Sequence, residues 1–106
     1  METLAVAALD LAGSYLWVNA VWSRRYGVDP EVARGRTLQS VVGEQNFKLT
    51  YQHLLDRAWS GSSATDYLHQ PVTDARHQVL QIHVAPIGAP GRVEFLLLLE
   101  REVTES

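Results

Sequence analysis

The sequence predicts an α+β fold, a five-stranded antiparallel sheet with helices packed on one face. Three observations lead there. Apolar, aromatic and β-branched runs open the chain, the helical spacing i, i+4, i+7, i+8 follows, and after Gly61 the period changes to two. Candidate helix caps and glycines punctuate the middle of the chain at short intervals. The 106 residues, 46% hydrophobic and 20% charged, suit one globular domain with a single core.

Residues 4–10 (LAVAALD) are apolar and run into the turn signal Asp10-Leu11-Ala12-Gly13, which predicts a strand. Residues 14–19 (SYLWVN) are aromatic and β-branched and complete a hairpin. Asn19 is positioned to cap a short helix from Ala20 to Tyr26 that Gly27 ends. Asp29-Pro30-Glu31 opens another helical turn with a cap, a proline at the first helical position and an acid, and Gly35 stops it. Thr37 caps a third turn, TLQSVV, closed by Gly43. Residues 44–60 predict one long helix with Phe47, Tyr51, Leu54, Leu55 and Ala58 on its apolar stripe and Gly61 beyond its end. Strands follow at 64–72, 77–87 and 92–103, separated by a polar turn at 73–76 and a turn at 88–91 containing Pro90. Helices between a leading hairpin and a three-strand meander are an α+β order.

Several function classes are disfavoured at once. The net charge is −3, and the nine basic residues are scattered apart from Arg24 and Arg25, so no nucleic-acid footprint is present. The absence of cysteine removes disulfides, thiolate nucleophiles and cysteine-ligated zinc. The first residues lack a basic region and soon meet Asp10, unlike a signal peptide, and no apolar run approaches a membrane span. A cytoplasmic location without membrane insertion is expected. There is no nucleophile elbow, phosphate loop or HExxH motif, so no enzymatic activity is expected. Both ends read as cut edges, which predicts a single domain over residues 1–106 excised from a larger multidomain protein.

The element order and several local signals resemble the PAS domain family. DLAGSYLWVNAVWSRRYG resembles the family's entry pattern of acid, glycine turn, strand, asparagine and short helix. GRTLQSVVG resembles the segment before the long helix, RAWSG that helix's end, and LEREVTE the closing segment through which such domains couple to the next helix. In that last segment Glu102 replaces the usual aspartate. The resemblance covers nearly the whole chain. It implies a regulatory sensory module of a signal-transduction protein, of the two-component or cyclic-nucleotide kind, with a cavity between sheet and helices and a covalently attached output domain. Fold alone does not fix function, because one fold hosts many ligands or none.

The family's cofactors can be compared with these residues. Covalent flavin chemistry needs a cysteine in a Gly-x-Asn-Cys-Arg-Phe-Leu-Gln segment; the aligned stretch here is Gly35 to Ser40 and holds none. Haem-type relatives place an axial histidine on the long helix. His53 lies there, but its helical phase turns it away from the apolar stripe, toward solvent or a partner. No tightly bound cofactor is therefore expected, with haem and covalent flavin disfavoured. His69, His77 and His83 read as polar residues of the outer sheet face rather than metal ligands.

Strand parity and helical phase give a candidate ligand pocket. The sheet contributes Leu80, Ile82, Val84, Leu96 and Leu98, the helices Leu38, Val42, Phe47, Tyr51, Leu54 and Leu55. Trp17, with Tyr15 and Trp22, would add aromatic walls, and Tyr51 and Gln70 polar contacts. Glu100 shares parity with Leu96 and Leu98, so it either points inward at the pocket mouth or reaches water at the strand end. Each of these residues is also a core candidate, and a small apolar or aromatic ligand competes with a filled core for the same space. A remote alternative is a small α+β isomerase using Glu100 as base.

The last strand is apolar on both faces. Leu96 and Leu98 take one, Val93, Phe95, Leu97 and Leu99 the other, although a sheet with one wet face should alternate. An apolar outer face marks an interface. It predicts a homodimer through Val93, Phe95, Leu97 and Leu99, or a flanking helix in the full-length protein. A ligand-free dimerisation or protein-interaction module is therefore the alternative to a ligand sensor.

Overall fold

A computed structural model describes residues 4–71, 77–89 and 91–103, with Gln70, Pro71 and His77 described by their backbone alone. The strands are β1 (Ala5–Leu9), β2 (Tyr15–Val18), β3 (Ala64–Pro71), β4 (His77–Ile87) and β5 (Phe95–Glu102). They form one antiparallel sheet in the order β2-β1-β5-β4-β3. The leading hairpin and the closing meander thus join through β1 and β5, which makes β5 a central strand. The predicted turn at 73–76 and Pro90 lie outside the described residues, as do Thr104 and Glu105 of the closing motif.

The helices between β2 and β3 are α1 (Ala20–Tyr26), α2 (Pro30–Ala33), α3 (Leu38–Val42), α4 (Glu44–Asn46) and α5 (Gln52–Trp59). The three predicted caps are all used. Asn19, Asp29 and Thr37 accept side-chain hydrogen bonds from the backbone N–H of Trp22, Glu31 and Ser40. Asn19 does more than cap: its Oδ1 also accepts from the Val6 N–H at 3.0 Å and its Nδ2 donates to the Leu4 carbonyl at 2.9 Å. It therefore fixes the start of α1 to β1. Gly27 ends α1 in the left-handed region at φ 65°, where its N–H bonds the Ser23 carbonyl.

Three expectations need correction. The predicted helix over 44–60 is interrupted by a π-helical turn at Phe47–Tyr51 between α4 and α5. The extra residue in that turn rotates the α4 side of the helix relative to the α5 side. Thr50 and Tyr51 are buried, whereas Phe47 is only half-buried. The strand predicted from residue 92 begins at Phe95. Val93 therefore precedes the strand, escapes its parity and packs against the core instead of joining the outer face.

The third correction concerns Trp17. In β2 the pairing changes from Ala8↔Trp17 to Leu9↔Tyr15, so Leu16 is an extra residue, a β-bulge. The bulge leaves Tyr15 and Val18 inward and turns both Leu16 and Trp17 outward. Trp17 is 53% exposed and walls no interior pocket. The core lies between the inner sheet face and α1, α3, the π turn and α5, as one continuous cluster.

Candidate functional site

The interior is built around Tyr26, Tyr51 and Glu100, which the chain brings from distant elements. Trp22 and Tyr26 are i and i+4 on α1 and share its inner face. Tyr51 comes from the π turn, and Glu100 from the inner face of β5. Glu100 is flanked in register by Ala5 and Ile82. Tyr26 Oη is hydrogen-bonded to Glu100 Oε1 and Tyr51 Oη to Glu100 Oε2, each at 2.5 Å, and the two hydroxyl oxygens lie 3.0 Å apart.

An aromatic wall backs this group. Trp22 Nε1 donates to the Tyr15 hydroxyl at 3.1 Å, their rings meeting edge to face with centroids 6.0 Å apart. The Trp22 and Tyr26 rings are 4.8 Å apart, tilted by 40°. Arg25 reaches in from the side. Its Nη1 is 3.7 Å from Glu100 Oε1 and donates to the Glu100 carbonyl at 3.5 Å.

Burial dominates the electrostatics. It pushes the Glu100 carboxyl above the ordinary glutamate range, against the opposing effects of the Tyr26 and Tyr51 hydroxyls and of Arg25. Burial, and then the Glu100 charge, likewise hold Tyr26 and Tyr51 far above the ordinary tyrosine range. Tyr15 is raised by burial as well.

Most of the residues predicted to line a pocket do come together. Leu38, Tyr51, Leu54, Ile82, Val84, Leu98 and Glu100 have no accessible surface, and Leu55 and Leu80 almost none. A side chain without accessible surface borders no void that admits a water molecule. Leu96 is equally buried, and it lies beneath a shallow surface groove of about 160 Å³ whose accessible walls include Phe47 and Leu55. Val42 is half-buried against the core. The side chain of Gln70 lies outside the described residues. Sequence reasoning missed Tyr26 and Arg25; the i, i+4 spacing of Trp22 and Tyr26 was the available signal.

A larger groove, about 390 Å³, lies elsewhere, where the β1–β2 turn, the end of α5 and the β4–β5 turn meet. Leu11, Trp59, Ile87, Arg92 and Val93 line it with the backbone of Gly61 and Gly88. Of the predicted site residues it contains Val93 alone.

The histidines whose side chains are described do not converge. His53 is exposed and bonds Asp66 of β3 at 2.7 Å. His83 bonds the Thr65 hydroxyl at 2.7 Å, while His69 stands opposite Val79. The His77 side chain lies outside the described residues. Among the described residues no group of three or more His, Cys, Asp or Glu could hold a metal ion.

The outer sheet face carries a second feature. Trp17, Ala8, Leu97 and Ala85 stand in register as an apolar row across β2, β1, β5 and β4. Val6 and Leu99 extend it on one side, Ile87 and Phe95 on the other. Beside the row the face carries polar links: Arg101 bonds Gln81 at 2.7 Å, and Gln81 bonds the Tyr67 hydroxyl at 3.1 Å.

Comparison with known proteins agrees with this geometry. The family model described as the PAS fold matches residues 3–106. The chain belongs to the PAS fold family. Among solved structures, it is similar to a sensory box sensor histidine kinase from Vibrio cholerae, with a TM-score of 0.78 at 18% identity, covering 98% of this chain and 84% of that one. It is also similar to the PAS domain of a protein from Colwellia psychrerythraea, with a TM-score of 0.74 at 16% identity and 97% and 88% coverage. A domain of an HTR-like protein from Haloarcula marismortui gives a TM-score of 0.69 at 20% identity, covering 95% and 98%. At these identities the likeness concerns the fold. No curated protein sequence matches. Membership of the PAS family makes the chain a sensory-type module, and no helix among the described residues is long and apolar enough to cross a membrane.

Proposed function

We propose that this PAS domain is a regulatory module of a signal-transduction protein that keeps its interior filled with its own side chains and acts through the outer face of its sheet. The observation that carries this reading is the packing of the expected pocket. Its walls meet one another, and Tyr26, Tyr51 and Glu100 satisfy each other where a ligand's polar group would sit. The close packing of these side chains supports an interior that holds no tightly bound cofactor, haem and covalent flavin included. The isomerase alternative loses support for the same reason: both oxygens of Glu100 are engaged and closed to substrate.

The apolar row through Trp17 and Leu97 supports a homodimer through the outer face, with the state of the pair passed on to a covalently attached output domain. A cytoplasmic location fits the cysteine-free composition.

A second reading has one observation behind it. The groove beside Trp59 and Arg92 is large enough for a small ligand, so sensing could take place there rather than in the core. Native mass spectrometry of the purified domain separates these readings. Two chains with no added mass is the expected species; one chain carrying a stoichiometric small molecule would overturn the ligand-free reading.

A further inference from the structure

Tyr26, Tyr51 and Glu100 make three mutual contacts: hydroxyl to Oε1, hydroxyl to Oε2, and hydroxyl to hydroxyl. Each hydrogen bond consumes one hydrogen, and each tyrosine hydroxyl owns one. With an ionised carboxylate, two hydrogens must serve three contacts. If both tyrosines donate to Glu100, none remains between the hydroxyls. With a protonated carboxyl, every contact has its hydrogen and all run one way round: Glu100 Oε2 donates to Tyr51, Tyr51 to Tyr26, and Tyr26 to Oε1.

The 2.5 Å contacts also suit a hydroxyl donating to a carboxylate, so their length does not choose between the two states. The surroundings do. Glu100 is the one buried ionisable acid among the described residues and has no accessible surface. The side chains level with it on β1 and β4 are Ala5 and Ile82, which carry no charge. Arg25 on α1 is the cation that faces it, at 3.7 Å from Oε1, and Tyr15 on β2 is the remaining ionisable neighbour. Burying an ionised carboxylate with its cation beyond hydrogen-bond length is costly, and neutralising the group avoids that cost.

We propose that Glu100 is protonated in the folded domain and closes a one-directional hydrogen-bond ring with Tyr26 and Tyr51, which acts as a proton-operated clasp joining α1, the π turn and β5. Loss of the proton to solvent removes one hydrogen from the ring, so one of its three links opens. It also leaves a charge beside Arg25, whose side chain is 21% exposed and already contacts the Glu100 carbonyl. Arg25 adjoins Tyr26 on α1, so closing that ion pair moves α1 against β5. Leu97 and Leu99 of the same strand face outward, which connects the clasp to the outer sheet face. The clasp does not depend on whether that face dimerises.

Infrared difference spectroscopy of the folded wild-type domain across pH tests this directly. The expected result is a protonated-carboxyl C=O band at neutral pH that disappears reversibly at higher pH while the fold persists. The band should be absent from Glu100→Gln. Carbon-13 labelling of glutamate carboxyls should shift the band and so assigns it even if that variant fails to fold, because the other described glutamates are exposed. No such band at neutral pH would overturn the proposal. So would a band that persists until the protein unfolds, since the clasp would then never open.

Discussion

Tyr51 and Glu100, 49 residues apart in sequence, meet through a 2.5 Å hydrogen bond in the buried centre of the domain. The contact ties the π turn to the central strand β5. It also occupies, with the chain's own groups, the space that a ligand's polar end would need.

Removing that link has a definite cost. In Tyr51→Phe the carboxyl of Glu100 loses a partner it cannot replace with water, and a buried polar group left unpaired costs about 1–3 kcal/mol. Urea denaturation should show a loss of that size. Trp17→Ala, on the exposed outer face, should shift the monomer's stability by much less, about 0.5 kcal/mol.

The buried acid also sets a pH dependence. Burial raises the folded-state pKa of Glu100 above its ordinary value of 4.5, so the folded protein holds a proton that the unfolded chain has released. The stabilisation is fully present below pH 4.5 and is lost as pH rises toward the folded-state pKa. The slope is at most about 1.4 kcal/mol per pH unit. Subtracting the profile of Glu100→Gln from that of the wild type isolates this effect; the difference should fall with rising pH from about pH 4.5 upward.

Asn19 offers an independent check on the fold. Its side chain caps α1 through the Trp22 N–H and holds β1 through Val6 and Leu4. Asn19→Ala should cost at least the ~1 kcal/mol typical of a lost cap. Asn19→Asp should recover the contacts to Trp22 and Val6 but not the one donated to Leu4. Thermal denaturation should therefore rank the wild type first, Asn19→Asp second and Asn19→Ala last.

Local signals carried most of the fold. Asn19, Asp29 and Thr37 cap where their positions before helical patterns implied, and Gly27 stops α1, because caps and left-handed glycines depend on neighbouring backbone alone. Period-two alternation likewise located the inner residues Ile82, Val84, Leu96 and Leu98. What escaped were insertions of a single residue. The bulge at Leu16 reversed the facing of Trp17, and the π turn at Phe47–Tyr51 rotated Phe47 partly out of the core. Neither leaves a mark in composition, since each is decided by pairing with another segment.

The centre of the site was legible only in part. Parity put Glu100 on the inner face but left open whether it reached water at the strand end, and helical phase turned Tyr51 inward. That both would converge with Tyr26 is a consequence of packing three elements together, and no local pattern records it. The same holds for the outer face. The apolar outward residues of β5 were readable, but their alignment with Ala8 and Trp17 results from the β2-β1-β5-β4-β3 strand order.

The central claim, a filled domain acting through its outer sheet face, is tested most directly by light scattering on the wild type and Leu97→Glu side by side. Leu97 stands in the middle of the apolar row, between Ala8 and Ala85, where a charge opposes burial against a second copy yet leaves the inner core untouched. The account predicts the mass of two chains for the wild type and of one for the variant, with unchanged circular dichroism. A wild type that stays monomeric at every concentration, or a variant that keeps the wild-type mass, would contradict it.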